Sequence, residues 1–300
     1  MQVFSPITNN LNVVLRSTFS SQELVNQYKE ELGLDVSRFF QEENFFLYED
    51  VDTGYKFFYP FHLMGDGNLY EILQNNKWYY TDWKWEHELA RKLISPKDKI
   101  LEIGCAEGAF LSKMKERGNE SHGLEMNEKA VKIGQKKGLT IFCQTIEKHA
   151  ATYKSYYDVI CSFQVLEHVA EVGNFIKASL ETLKPGGRFI MSVPYNYPDS
   201  LILKNNVLNM PPHHMGLWNG RALISLQDIF NIQLQHLEIE PLQNYHIGYY
   251  TSYIENLIKE RHRFLGKFVV KIGRRFIKNY LKNLSPYLLG HTFLAEYKKL

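Results

Sequence analysis

The chain has 300 residues, 44% of them hydrophobic and 23% charged, and its 35 basic and 33 acidic residues leave a formal charge of +2. This balance is typical of a globular protein with a sizeable core, and it gives no sign of a nucleic-acid partner. No apolar run approaches the ~20 residues of a membrane-spanning helix. Three scattered cysteines and the lack of a signal peptide predict a cytoplasmic protein without a disulfide framework.

Residues 1–94 form a segment rich in aromatic side chains, which we interpret as an accessory region. Between residues 36 and 85, 16 of 50 residues are Phe, Tyr or Trp, against 42 of 300 in the whole chain. Alternation over Lys56–Tyr59 predicts a strand that Pro60 ends. Residues 95–98 (SPKD) break the chain, and we place the domain boundary between residues 94 and 95.

Residues 95–300 alternate between short apolar runs and helical segments. Such runs predict a parallel sheet covered by helices on both faces, and they fall at residues 99–103, 121–124, 139–143, 157–163 and 188–193. Two further strand patterns, at residues 231–240 and 291–298, flank a basic helical insertion at residues 244–290. The sequence therefore predicts an α/β, doubly wound fold.

The first predicted strand of this domain leads into a candidate binding turn, residues 101–108 (LEIGCAEG). Glycines let a backbone approach a ligand closely, and a helix start offers free N–H groups. The turn lacks the glycines of a dinucleotide fingerprint, since Ala106 and Ala109 stand in their places, and no Walker motif is present. A carboxylate at Glu102, inside the strand, would repel a pyrophosphate but would attract a cofactor that carries an ammonium and a sulfonium.

Glu125 ends the second predicted strand, 21 residues after Gly104. A Rossmann-like site places an acid there to accept hydrogen bonds from both hydroxyls of a ribose. Taken with the turn and Glu102, this position indicates a nucleoside-containing cofactor rather than a solvated helix cap.

Together these motifs resemble those of the class I S-adenosylmethionine (SAM)-dependent methyltransferases, over about residues 99–241 and the last strand. They read KILEIGCAEGAF, GLEMN, QTIEKH, YDVICSFQVLEHV and LKPGGRFIMSVP. The resemblance implies a Rossmann-like sheet of seven strands, the last antiparallel, with SAM as methyl donor. It also implies the cofactor-binding residues Glu102, Gly104, Cys105 and Gly108 around the methionine part, Glu125 on the ribose, Met126, Thr145 and Ile146 around the adenine, and Phe163 and Gln164 near the methyl group.

Residues 164–168 (QVLEH) resemble the E-x-x-E-H motif that binds a divalent metal in methyltransferases of the ubiquinone pathway and of small-RNA 3′ ends. Gln164 replaces the first acid of that motif, which weakens a site for a hard cation. We therefore expect no metal and keep His168 as a candidate catalytic residue.

Two adjacent histidines, His213 and His214, follow Pro211 and Pro212 in the motif PPHHMGLW. This motif lies within residues 194–226, the predicted substrate loop, at the sheet edge where α/β proteins bind ligands. A neutral histidine can take the proton of a hydroxyl while a methyl group is transferred. We expect at least one of the two to act on the acceptor; the alternative is a histidine that only hydrogen-bonds within the loop.

The sequence thus predicts a SAM-dependent methyltransferase that methylates a hydroxyl of a small molecule or a glycan. The alternative is a non-catalytic nucleotide-binding or scaffold protein that retains the fold. Residues 1–258 hold 24 basic and 31 acidic residues, which disfavours a nucleic-acid acceptor.

The insertion carries the opposite charge. Nine Lys and Arg residues lie between residues 259 and 282. Apolar residues recur there at steps of three and four and predict one apolar helical face: Leu265, Phe268, Val269, Ile272, Phe276 and Tyr280. Two interpretations remain open: a lid helix packed on the domain, or a surface that docks on anionic lipid at the inner face of the membrane.

Overall fold

Two β-sheets organise the computed structural model, which describes residues 2–74, 83–196, 206–261 and 266–300. The larger sheet has seven strands in the order β10-β11-β8-β7-β4-β5-β6. Their bounds are β4 Ile100–Ile103, β5 Ser121–Leu124, β6 Thr140–Phe142, β7 Tyr157–Phe163, β8 Leu183–Pro194, β10 Ile232–Pro241 and β11 Leu289–Lys299. The pairs from β6 to β8 are parallel, whereas β11 runs antiparallel to both of its neighbours. The predicted doubly wound fold is confirmed.

Helices cover both faces of this sheet because successive strand residues point to opposite sides. The helices are α3 Trp85–Leu93, α4 Ala109–Glu116, α5 Glu128–Lys136, α6 Ile146–Ala150, α7 Val172–Thr182 and α8 Gly220–Ile229. Leu101 packs in a cluster with residues of α6, α7 and α8, whereas its neighbour Ile100 packs with residues of α3 and α4. The strands are apolar on both sides for this reason.

The smaller sheet joins the N-terminal region to the predicted substrate loop. Its strands, in the order β1-β2-β3-β9, are β1 Val13–Ser20, β2 Asn44–Asp50, β3 Lys56–Tyr59 and β9 Gly216–Leu217. Helices α1 Ser21–Leu32 and α2 Gly67–Gln74 belong to the same region. β9 comes from the PPHHMGLW motif and pairs Gly216 with Phe57. Residues 197–205 of the predicted loop lie outside the described residues.

The domain boundary between residues 94 and 95 stays a prediction. Although α3 precedes it, Ala90 and Ile94 are buried in one cluster with Val159 and Ile190 of the larger sheet. The last helix of the predicted accessory region therefore packs as a layer of the methyltransferase-like fold.

The insertion consists of two helices, α9 Ile247–Arg261 and α10 Gly266–Leu284. In α10 the residues that pack inward are Ile277 and Leu281, which contact a small cluster around Leu242. Phe276 and Tyr280, which belong to the predicted apolar face, are 76% and 67% exposed. These two side chains do not pack on the domain, because the buried face of α10 is turned by one residue. The choice between a lid helix and a lipid-docking surface stays a prediction. Leu265, Phe268, Val269 and Ile272 lie outside the residues whose side chains are described.

Candidate active site

A cavity of about 1450 Å³ opens at the carboxyl ends of β4, β5 and β7. It exceeds the ~300–1,000 Å³ of a common ligand pocket and has room for a cofactor beside an acceptor. Twelve of the thirteen predicted site residues line it: Glu102, Gly104, Cys105, Glu125, Met126, Thr145, Ile146, Phe163, Gln164, His168, His213 and His214. Gly108 lies apart from the described lining. It caps α4 with a φ of 79°, and a Cβ there would collide with Leu139.

The turn after β4 brings bare backbone to the cavity. Gly104 has a φ of 75°, which favours glycine, and a Cβ there would lie 2.5 Å from Cγ2 of Val165. Ala106 adopts a φ of 48° and donates its N–H to Oε2 of Glu125 at 3.0 Å. A side chain at Gly104 would therefore have no room, and the turn offers a cradle that a ligand can approach closely.

Glu125 is held in place by hydrogen bonds from two turns. Besides the bond from Ala106, its Oε1 accepts the N–H of Asn127 at 2.8 Å. The carboxylate is thereby oriented while each oxygen keeps a second acceptor position. Glu125 can accept the two hydroxyls of a diol from one fixed direction.

Glu102 is a buried carboxyl on β4, 4% exposed. Its Oε2 has no hydrogen-bond partner among the described residues. Burial, and then the nearby charge of Glu125, raises the pKa of Glu102 well above its usual range. A buried oxygen without a partner is costly, so this arrangement suits a ligand that brings donors or a positive charge.

The floor between the two ends of the cavity is aromatic. Phe163, the last residue of β7, packs edge-on against His87 at 4.8 Å and Phe110 at 5.0 Å between ring centroids. Gln164 follows with a φ of 54° and donates its Nε2–H to Oγ of Ser192. Met126 is 57% exposed, and Thr145 caps α6.

Three histidines meet at the far end of the cavity. The ring centroids of His168, His213 and His214 lie 4.6–4.9 Å apart. Nδ1 of His168 lies 2.6 Å from the carbonyl oxygen of His213, and Nδ1 of His213 lies 2.7 Å from that of Leu208. The carbonyl of Leu208 therefore favours the proton on Nδ1 of His213 and the lone pair on its Nε2. His168 also interacts with the backbone of Gln164.

Burial keeps these imidazoles neutral. It lowers the pKa of His168 to about 4 and the pKa values of His213 and His214 well below the usual range. The loop that carries them is fixed from two sides, since Met215 donates its N–H to Glu167 O and accepts that of Phe58. A neutral, oriented imidazole is a form that can accept a proton.

The same cluster has the donor atoms of a metal site. One ligand atom from each of His168, His213 and His214 lies within 4.8 Å of the others, and three imidazoles can hold a divalent transition metal. The expectation of a metal-free site stays a prediction.

A family model described as "Methyltransferase domain" matches residues 77–237, more than half of the chain. The chain belongs to this methyltransferase family. The seven-stranded sheet, with a cavity at its carboxyl edge, matches the Rossmann-like fold of methyltransferases. The resemblance inferred from the motifs is confirmed.

Relatives of this methyltransferase-family chain match parts of it. "Ubiquinone biosynthesis O-methyltransferase" of Proteus mirabilis is 31% identical over 100 residues, which are 31% of this chain and 41% of that protein. The protein of the same name from Pectobacterium atrosepticum is 29% identical over 197 residues, 62% of this chain and 75% of that protein. The chain spans about two fifths of the length of the first curated relatives it matches.

Solved structures agree on the fold. A SAM-dependent methyltransferase from Archaeoglobus fulgidus superposes with a TM-score of 0.53 at 18% identity and covers 77% of this chain and all of that one. The PH0226 protein from Pyrococcus horikoshii has a TM-score of 0.51 at 12% identity, with 79% and 100% covered. At these identities the likeness concerns the fold alone.

One cavity residue of this methyltransferase-family chain, Glu86 on α3, was not singled out by the sequence analysis. It is 1% exposed and lines the cavity beside His87. A signal existed, because Glu86, Ala90 and Ile94 recur every four residues and share one helix face. An acid on an otherwise apolar face is the kind of buried polar residue that calls for an explanation.

Proposed function

We propose that this protein transfers a methyl group from SAM to a hydroxyl of a small-molecule or glycan acceptor. The observation that carries the proposal is the pair of carboxyl groups on adjoining strands: Glu102, buried without a partner, and Glu125, fixed by two N–H groups. Family membership supports methyl transfer, and the names of the relatives favour an oxygen acceptor.

The residues of the cavity fit SAM. Glu102 would hold the ammonium group, because that group brings both donors and positive charge to the unpaired oxygen. Glu125 would hold the ribose diol, and the turn at Gly104 leaves space for the methionine part. When bound, SAM supplies a methyl group on a positively charged sulfur, which leaves as a neutral thioether.

The protein's own part is to position the acceptor, exclude water and remove a proton. His213 is the best-oriented base of the cluster, since Leu208 O fixes its tautomer and burial keeps it uncharged. Its Nε2 would take the proton of the acceptor hydroxyl as oxygen bonds to the methyl carbon. His168, whose Nδ1 bonds the carbonyl of His213, would position that residue.

Calorimetry with SAM and S-adenosylhomocysteine, followed by transfer of a labelled methyl group to hydroxylated acceptors, tests the proposal. We expect both ligands to bind and a hydroxyl to be labelled. Binding without transfer to any acceptor would favour the non-catalytic alternative. No binding of either ligand would overturn the proposed function.

Glu125→Ala should weaken S-adenosylhomocysteine binding by roughly 1.5–3 kcal/mol, the worth of hydrogen bonds to a charged group. Calorimetry measures the change, and circular dichroism checks that the fold is kept. Glu128→Ala is the matched control, because Glu128 is an exposed acid three residues away whose ion pair is with Lys132. Equal affinities of the Glu125 variant and the unmodified protein would show that this carboxylate does not hold the ribose.

We also propose that α10 docks on an anionic lipid surface. Phe276 and Tyr280 stand exposed on this helix, and Arg275, Lys278 and Lys282 are exposed around them. Aromatic side chains among basic ones complement an interface whose head groups are negative. No helix among the described residues is long and apolar enough to cross a membrane, so the contact would be peripheral.

Co-sedimentation with vesicles of phosphatidylcholine and phosphatidylglycerol tests this docking. Since each basic residue near such a surface contributes ~1 kcal/mol, screened by salt, we expect binding at low salt that disappears at high salt. Phe276→Ser with Tyr280→Ser should abolish it, whereas the control Ile224→Ser, on an exposed position of α8, should not. Absence of binding at low salt would rule the docking out.

A further inference from the structure

Two buried carboxyl groups line the cavity in addition to the residues assigned to the cofactor and to the base. Glu86 is near the start of α3, and Glu167 lies in the short helical turn after β7. Each side chain is 1% exposed, and both line the cavity. The Oε2 atoms of both have no hydrogen-bond partner among the described residues.

The start of α3 is fixed over the end of β7, which places Glu86 on the acceptor side. The ring of His87 packs on Phe163, and Nδ1 of His87 accepts the N–H of Lys84. Glu167 precedes His168, whose ring belongs to the three-histidine cluster. Glu86 is thus next in sequence to a residue that packs on Phe163, and Glu167 is next to one of the three clustered histidines.

Both carboxyl groups respond to the charge of the same lysine, and Glu167 also responds to the charge of Glu86. Burial raises the pKa of Glu86 to about 7 and that of Glu167 to about 8. The positive charge of Lys84 acts against both shifts, and the charge of Glu86 adds to the shift of Glu167. Near neutral pH these groups offer both a proton to donate and oxygens to accept.

A carboxyl oxygen buried without a partner lowers the stability of the folded chain. Two such oxygens in one cavity, beside neutral imidazoles, make a surface that matches a ligand whose groups both donate and accept hydrogen bonds. Neighbouring hydroxyl groups on a saturated ring have this property, whereas the face of an aromatic ring does not.

We propose that Glu86 and Glu167 form an acceptor subsite that binds the hydroxyl groups next to the methylated one on a polyhydroxylated ring, such as a hexopyranoside. This inference rests on the proposed methyl transfer and names the class of its acceptor. The two residues would hold the acceptor, while the proton of the reacting hydroxyl goes to His213.

Labelled methyl transfer from SAM to a panel of methyl hexopyranosides, with phenol as the aromatic comparison that lacks a neighbouring hydroxyl, tests the subsite. We expect transfer to at least one hexopyranoside. Glu86→Gln should raise its KM at least tenfold while the affinity for S-adenosylhomocysteine stays unchanged. Glu88→Gln is the matched control, because Glu88 lies on the same helix, is exposed and pairs with Arg91; its KM should not change.

A second measurement separates ligand binding from a structural role. Glu86→Leu removes the unpaired oxygen and keeps the volume, so the ligand-free protein should melt at a higher temperature while losing transfer to the hexopyranoside. A lower melting temperature, or an unchanged KM in Glu86→Gln, would assign Glu86 to the core instead.

The outcomes also distinguish this inference from the function on which it rests. S-adenosylhomocysteine binding with transfer to phenol alone, or to no hexopyranoside, overturns the acceptor subsite but not the cofactor site. Failure to bind S-adenosylhomocysteine would instead overturn the methyltransferase proposal itself.

Discussion

Replacing His213 with alanine should lower turnover by ~10²–10⁴, the usual contribution of a positioned general base. The imidazole is buried and held by the carbonyl of Leu208, so its loss removes the proton acceptor without touching the turn at Gly104. Labelled methyl transfer measures turnover, and calorimetry should show unchanged affinity for S-adenosylhomocysteine. His236→Ala is the control, because His236 lies on β10 and pairs with Glu238.

His214→Ala and the double variant complete this test, since the two rings stack at 4.6 Å. A larger loss in His214→Ala than in His213→Ala would move the base to the second ring. Full activity in all three variants would remove both histidines from the mechanism. We also expect turnover to survive dialysis against EDTA; activity lost there and restored by zinc would make the cluster a metal site.

The pH dependence follows from the same burial. Because the folded pKa values of these histidines lie below the unfolded value near 6.5, the imidazoles stay neutral as pH falls through 6.5, and their titration should not change turnover between about pH 8 and 6. A change of turnover in this range would instead come from Glu86 and Glu167, whose pKa values are raised to about 7 and 8. Stability behaves differently. Below pH 6.5 the unfolded chain binds protons that the folded chain does not, so each histidine lowers the stability by about 1.4 kcal/mol per pH unit. Glu86 and Glu167, whose folded pKa values are raised, act in the opposite direction. Urea unfolding of the unmodified protein and of His213→Ala at pH 5 and 7 therefore isolates the contribution of one histidine.

Gly104→Val should reduce S-adenosylhomocysteine affinity more than a hundredfold, about 2.7 kcal/mol or more. The side chain would meet Val165 at 2.5 Å and stand where the ligand approaches the backbone. The φ of 75° adds a strain of roughly 1–2 kcal/mol for any residue with a Cβ. Calorimetry of the purified variant gives the affinity.

Gly33→Ala separates strain from crowding. Gly33 has a φ of 67°, and a Cβ there meets nothing within 4 Å, so the variant should lose some stability and keep its affinity. The double variant Gly104→Ala, Val165→Ala removes the clash between the new Cβ at position 104 and the side chain of Val165. Affinity restored by the second substitution would mean that the turn is only a packing site, whereas persistent loss places the ligand at Gly104.

The larger sheet was predictable because its strands are apolar on both faces and its turns carry residues with special backbone requirements. Gly104, Glu125 and Phe163 lie at one edge of the sheet because parallel strands end there together. The residues predicted to bind the cofactor could therefore be inferred from the strand order and from the positions of acids and glycines in the sequence.

The side of the cavity that we assign to the acceptor was harder to predict, because it is built by contacts between segments far apart in the sequence. Phe57 gives no sign that its partner is Gly216, 159 positions away, and Glu86 becomes a buried carboxyl only once α3 lies on the larger sheet. The helical period marked Phe276 and Tyr280 as apolar, but periodicity does not tell which side of a helix finds a partner. In α10 the side that packs on the domain carries Ile277 and Leu281 instead.

The pairing of β3 with β9 has a consequence for engineering acceptor preference. The loop that carries His213 and His214 pairs with β3, through Gly216 with Phe57 and through Met215 with Phe58. Its position therefore depends on a strand that precedes the cofactor-binding turn in the sequence. A chimera that exchanges the loop alone would pair it with a β3 strand from a different protein. Residues 44–59 and 206–218 therefore form one structural unit made of two separate segments. Recombination between relatives should transfer acceptor specificity only when both segments come from the same parent.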